Sequence, residues 1–238
     1  MREDGRVSRA RVDPTDPRSS AFGRLTGAVY WFLVIELCFL LAAAPGFVGL
    51  LLLERDASNI PLFALMLVPV APAFSAAMHA LARRTAESDL VVWPRFWHGW
   101  VLNVLDVLKL WVPALVLGAM LAINIVVGAA AGVGPALRAA SGVLLALVAV
   151  WAVIAVVIAT FFRFRTRDTA RLALFYLAAR PLTALAVASF LVIVVGLIAF
   201  TSDWVAALAG SLLAAFLLLV AKPVLDDCRA RFVEAEEA

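Results

Sequence analysis

Six long runs of apolar residues decide what this chain can fold into. They cover 30–53, 61–81, 100–129, 142–162, 181–200 and 205–221. A helix rises about 1.5 Å per residue and a bilayer's hydrocarbon core is about 30 Å thick, so about 20 apolar residues suffice to cross it. Ala, Val and Leu fill the runs without the two-residue alternation of a lipid-facing strand. In hydrocarbon every backbone N–H and C=O must bond within the protein, and helices do that segment by segment. Of the 238 residues, 65% are hydrophobic and 16% charged, against roughly 45–50% and about 25% in soluble domains. A soluble enzyme, a nucleic-acid-binding domain and a disordered chain are excluded. The expected fold class is all-α: a polytopic membrane bundle of six transmembrane helices, with the lipid bilayer as its first partner.

Basic residues orient such a bundle, because short cytoplasmic loops carry the excess of Lys and Arg. Seventeen of the twenty lie in four segments: the N-terminal stretch, the second–third loop, the fourth–fifth loop and the tail. Arg55 and Arg138 fall in opposite loops, and Lys109 inside a span. Both termini are therefore expected in the cytoplasm. The sequence pI of about 9.3 follows from this topology and calls for no nucleic acid. Ala42-Ala43-Ala44 satisfies a signal-peptidase pattern. The apolar run nevertheless continues to Leu53, with Pro45 directly after the would-be cut. A retained signal-anchor helix is the better reading.

The chain divides into a disordered basic cytoplasmic arm (1–21), a transmembrane domain (22–223) and a cytoplasmic tail (224–238). Two longer inward loops mix arginines with aromatic rings, a combination suited to the headgroup region. Short interfacial helices are expected there, over 89–99 and 166–179. Arg83-Arg84-Thr85 and Arg165-Thr166-Arg167 precede them, which suggests a parallel repeat of a span–loop–span unit.

Ionisable groups inside spans are costly, so each asks for a reason. Glu36, in the first span, could bind a cation or proton, or could bond a neighbouring helix as structural glue. The third span holds a polar set. With Asn103 at zero and about 100° per residue, Asp106 falls near 300°, Lys109 near 240°, Pro113 near 280° and Asn124 near 300°. Trp97, Trp100 and Trp111 fall near 120°, 60° and 80°. Asn103, Asp106, Lys109 and Asn124 are expected to face the bundle and the tryptophans to face away, with Asp106 and Lys109 neutralising one another at i and i+3. Pro45, Pro69, Pro72 and Pro113 free backbone carbonyls, either as ordinary kinks or as the broken helices of a binding site. His79 and His98 read as interfacial polar residues. Cys38 and Cys228 offer no disulfide framework and no metal-ligand spacing. No catalytic residue, metal site or cofactor site is expected.

Around the second and third spans the residues resemble a family. Pro72-Ala73-Phe74-Ser75-Ala76-Ala77-Met78, the basic end Arg83-Arg84, then Phe96-Trp97-His98-Gly99-Trp100 with Asn103 resemble the YesL-like bacterial membrane proteins, as does Arg180-Pro181-Leu182. The resemblance covers about residues 22–222. It marks Phe96, Trp97, Gly99 and Trp100 as an interfacial motif. Glu36 departs from it, standing where many relatives have asparagine. The resemblance implies a bacterial plasma-membrane protein associated with carbohydrate uptake or utilisation, often near sugar ABC transporters, and brings no catalytic residue.

Three functions follow. The first is a non-enzymatic accessory or regulatory protein of a carbohydrate uptake system, with a sugar ABC transporter as partner. The second is a small transporter or channel with a polar path along the third span. The third is an enzyme acting on lipid or lipid-linked sugar, for which the inward loops offer only Glu87, Asp89, His98 and Asp168. Small residues in the last two spans (Gly196, Gly210, Ser211, Ala214) allow close helix contact, either within the chain or between the copies of a homo-oligomer.

Overall fold

The computed structural model describes residues 21–83, 91–201 and 203–232. All its regular elements are helices: α1 (Ala21–Leu52), α2 (Ile60–Met66), α3 (Val70–Ala82), α4 (Val92–Val126), α5 (Pro135–Phe161), α6 (Thr166–Ala179), α7 (Pro181–Phe200), α8 (Asp203–Ala207) and α9 (Gly210–Phe232), with one 3-10 turn at Ala57–Asn59. Among the described residues, five stretches are long and apolar enough to cross a membrane: Leu25–Leu52, Ala57–Ala82, Val92–Val126, Pro135–Phe161 and Pro181–Phe200. The arm expected over 1–21 lies outside the described residues except for Ala21, as do Arg84, Glu87 and Asp89.

The centre of the bundle is α3. Its Ala71, Ala73, Ala76, Ala77 and Ala80 are all buried, and small side chains let neighbouring backbones approach closely. α1, α4, α5 and α9 all pack against it. Proline shapes the approach to this helix. Pro69 and Pro72 lack the N–H that a continuous helix needs, and the second apolar stretch breaks between Met66 and Val70. Asp56 starts the preceding turn by accepting bonds from the Ser58 N–H (2.8 Å) and hydroxyl (2.6 Å). These bonds hold its carboxyl below the usual carboxylate range, the hydroxyl contributing most.

Three boundaries differ from the sequence reading. The helix expected over 89–99 is not separate: residues 92–99 form the first two turns of α4. Pro94 sits in the first turn, where it costs no ladder bond, and Gly99 packs within the helix instead of ending it. The proposed repeat therefore lacks matching halves, since residues 166–179 do form a helix of their own, α6. Thr169, Ala173 and Tyr176 make its buried stripe, and the Trp151 indole donates to Ala170 O at 3.1 Å, tying it to α5. Last, the run expected over 205–221 breaks between Ala207 and Gly210, and α9 continues through residue 223 to Phe232. Val224, Leu225 and Cys228 are buried, so 224–232 belong to the bundle and not to a separate tail. α9 also carries Lys222, Asp226, Asp227, Arg229 and Arg231, and is not among the five membrane-length apolar stretches.

α7 is the least embedded of the long helices. Only Thr183, Val187 and Phe190 are buried, while Leu182, Val192 and Phe200 are exposed. At the opposite end, the chain leaves α4 and turns back into α5 through Gly132, whose φ of +77° suits a residue without a side chain.

Candidate functional site

The buried face of α4 is Val92, Phe96, Gly99, Asn103, Val107, Leu110 and Ala114. From Phe96 on these recur every three or four residues, and with Asn103 at zero they fall within about 40° of it. Asn103 is thus at the centre of the face turned to the bundle. One Nδ2 proton goes to Ser75 Oγ (3.3 Å) on α3 and the other to Thr160 O (3.2 Å) near the end of α5. That carbonyl is one of the last four of α5, which have no partner within the helix. The Thr160 and Ser75 hydroxyls share a bond of 2.8 Å, and Thr160 also donates to Val156 O at 2.7 Å. One proton per hydroxyl orders the chain: Asn103 donates to Ser75, Ser75 to Thr160, and Thr160 to the Val156 carbonyl. All three side chains are buried. One turn toward the N-terminus, Gly99 leaves room for the His79 ring, which a Cβ there would meet at 2.9 Å. His79 is correspondingly buried within the bundle, whereas His98 is exposed.

Asp106 and Lys109 lie elsewhere. They pair at 2.9 Å, but their side chains are 45% and 56% exposed, on the outside of the bundle. Their neighbours on the outer surface of α4 are Val101, Leu105, Val112 and Val116, all exposed. The expectation that this pair faces the bundle is overturned. The reason is that the apolar face is centred on Asn103, so the charges at about 300° and 240° fall at its edge and beyond. The tryptophans reverse as well. Trp111 reaches inward, its indole donating to Leu67 O (2.9 Å) at the break between α2 and α3. Trp97 and Trp100 are half-buried against the core. Phe96 is fully buried, so the motif of Phe96, Trp97, Gly99 and Trp100 packs helices together.

The remaining polar groups join helix ends. Glu36 Oε2 accepts from the Ser211 N–H at 2.6 Å, on the first turn of α9, where N–H groups have no partner within the helix. Its Oε1 is buried and has no hydrogen-bond partner among the described residues. Gly210 makes the approach close: a Cβ there would clash with the Phe39 ring. Asn124 donates to Ser141 Oγ (2.6 Å), and the Arg138 guanidinium donates twice to Ile125 O, joining the end of α4 to the start of α5. The four residues of the expected stripe are therefore three separate sites.

A cluster that the sequence reading missed links α6 to α9. Asp227 accepts from Tyr176 Oη (2.7 Å), Arg180 (2.6 Å) and Arg231 (2.8 Å). Cys228 donates to Tyr176 Oη at 3.3 Å. The Tyr176 bond and then the two guanidiniums hold the Asp227 carboxyl below its ordinary range. Burial pushes both the Tyr176 hydroxyl and the Cys228 thiol up. The Asp227 and Arg231 spacing of i and i+4 was the readable signal.

Two cavities complete the site. One, of about 250 Å³, lies among α1, α3, α5, α7 and α9. The other, of about 260 Å³, lies among α2, α4 and α5. Both are walled by apolar side chains, and Leu67 and Trp111 border each. No protein-family model, curated protein or solved structure matches this chain.

Proposed function

We propose that this chain is a non-enzymatic accessory subunit of a bacterial plasma-membrane system for carbohydrate uptake, crossing the bilayer six times with both termini in the cytoplasm. The observation that carries the docking role is the Asp106–Lys109 pair, exposed between Leu105 and Val112 on the outer face of α4. A charge at the centre of a membrane helix costs about 2.5–3.5 kcal/mol on insertion scales. Pairing offsets part of that, and a partner helix with polar groups of its own lowers it further. Inside the bundle Asn103, Ser75 and Thr160 bond one another, which supports a structural interior over a solute path. The sugar-uptake assignment is supported by the YesL-like residues of α3, α4 and the start of α7. α9, with the preceding α8, supplies the sixth crossing in this reading.

The test is affinity purification from mild detergent. Full-length chain should recover the membrane subunit of a sugar ABC transporter. An Asp106→Leu/Lys109→Leu variant should accumulate normally and lose at least tenfold of that recovery. Failure of the native chain to recover a transporter subunit, together with unchanged sugar uptake on deletion, would overturn the proposal.

A further inference from the structure

The cavity of about 250 Å³ has a deep wall of Phe39, Phe74, Val156 and Leu217. Val156 and Leu217 are 5% and 2% exposed, so this wall lies inside the bundle and not on its outer surface. Its mouth is Leu51, Ile198 and Trp204, all exposed. Both helix breaks open onto it: Leu67 and Val70 flank one, and Ala207 and Gly210 flank the other. The cavity therefore exists because two elements stop short where a continuous helix would have carried side chains into the gap.

Water has no polar partners in such a space, and an empty one forfeits dispersion contacts all along its lining. What surrounds apolar helices of membrane length is hydrocarbon. An apolar cavity of about 150 Å³ takes benzene, and on that scale this one takes about ten chain carbons. We propose that it binds one acyl chain of a bilayer phospholipid, threaded past Leu51, Ile198 and Trp204 to lie against Phe74 and Val156. Trp204 at the mouth suits a tryptophan's preference for the polar boundary of the bilayer. The chain fills the space between α7, which buries few side chains of its own, and the body of the bundle. This occupant is independent of the docking role of α4.

The experiment uses the full chain in phosphatidylcholine vesicles containing a phosphatidylcholine with a photoreactive diazirine in mid-chain. After illumination, mass spectrometry maps the adducts. Adducts are expected on Phe74, Val156 or Leu217 as well as on the outward-facing Val192. Val194→Trp, which fills the cavity from α7, should cut the interior adducts at least tenfold and leave those on Val192 unchanged. Ala206→Phe, entering from α8, serves the same purpose where the first variant fails to reconstitute. Adducts confined to outward residues such as Val192 and Leu185 would overturn the proposal, as would interior adducts undiminished by filling.

Discussion

Two polar sites one turn apart on α4 are treated in opposite ways. Asn103 is buried and spends both amide protons on partners in other helices. Asp106 and Lys109 turn outward and, among the described residues, bond each other. The contrast separates two uses of polarity in an apolar chain. An uncharged amide can be built into the interior when every donor finds an acceptor, since each such bond contributes about 0.6 kcal/mol on average between membrane helices. An ion pair gains less from burial, because desolvating both charges costs more than their attraction returns unless further bonds support them. It is left at the surface, where a second protein can use it.

The largest effect should come from the buried side. Asn103→Leu leaves Thr160 O without its donor in a place water does not reach, at about 1–3 kcal/mol, and takes from Ser75 Oγ one of its two bonds. Unfolding of the purified chain in detergent should show a loss of about 2–3 kcal/mol, and native stability in this variant would break the contrast at its stronger end. Gly99→Ala sharpens the same side. The new methyl meets the His79 ring closer than van der Waals contact, and overpacking of this kind costs about 1–3 kcal/mol. If Gly99→Ala were neutral, the packing of His79 against α4 would not be holding the bundle together.

Smaller changes are expected on the exposed side. Asp106→Leu strands Lys109, and Lys109→Leu strands Asp106. Each leaves one charge unpaired on the outer face of α4, at a cost below the about 2.5–3.5 kcal/mol of a lone charge at the centre of a membrane helix. The double variant should lose less than either single one, because nothing is left unpaired. Additive losses in lipid bicelles would mean that the two charges are not coupled and that the outer face of α4 holds two independent groups.

The apolar runs made an all-helical chain with several membrane-length helices readable, because length and composition fix that much. The interior of α4 was readable too, had the angles been centred on Phe96, Gly99, Asn103, Val107 and Leu110; the charged residues drew the stripe to the wrong side. Charge marks where polarity is, and small or apolar side chains at heptad spacing mark where the bundle is. The breaks before Val70 and Gly210 were half legible. Pro69 and Pro72 announce the first, whereas no proline marks the second, which depends on the fit of Gly210 against Phe39 and of Glu36 on Ser211. Such fits are tertiary, and no window of sequence contains both partners. The Tyr176–Asp227 cluster was hidden for the same reason, since its halves are 51 residues apart.

That cluster offers the finest test, because it combines the two treatments: a carboxylate partly shielded like Asn103 yet charged like Asp106. Its carboxyl is held low by the Tyr176 hydroxyl first and by Arg231 and Arg180 after it. A group whose folded value is depressed stabilises the fold above its ordinary value of 3.8 and loses that contribution as pH falls through the folded value. Tyr176 and Cys228, both raised by burial, stay uncharged throughout the acid range. Native chain and Asp227→Asn should therefore differ in Tm by a constant amount from pH 7 to about pH 5, and the gap should close as the pH drops below 3.8. Other carboxyls titrate in both proteins and cancel in the difference. A gap that stays flat across the acid range would mean that the charge on Asp227 contributes nothing, leaving the hydrogen bonds of its oxygens as the whole of its effect.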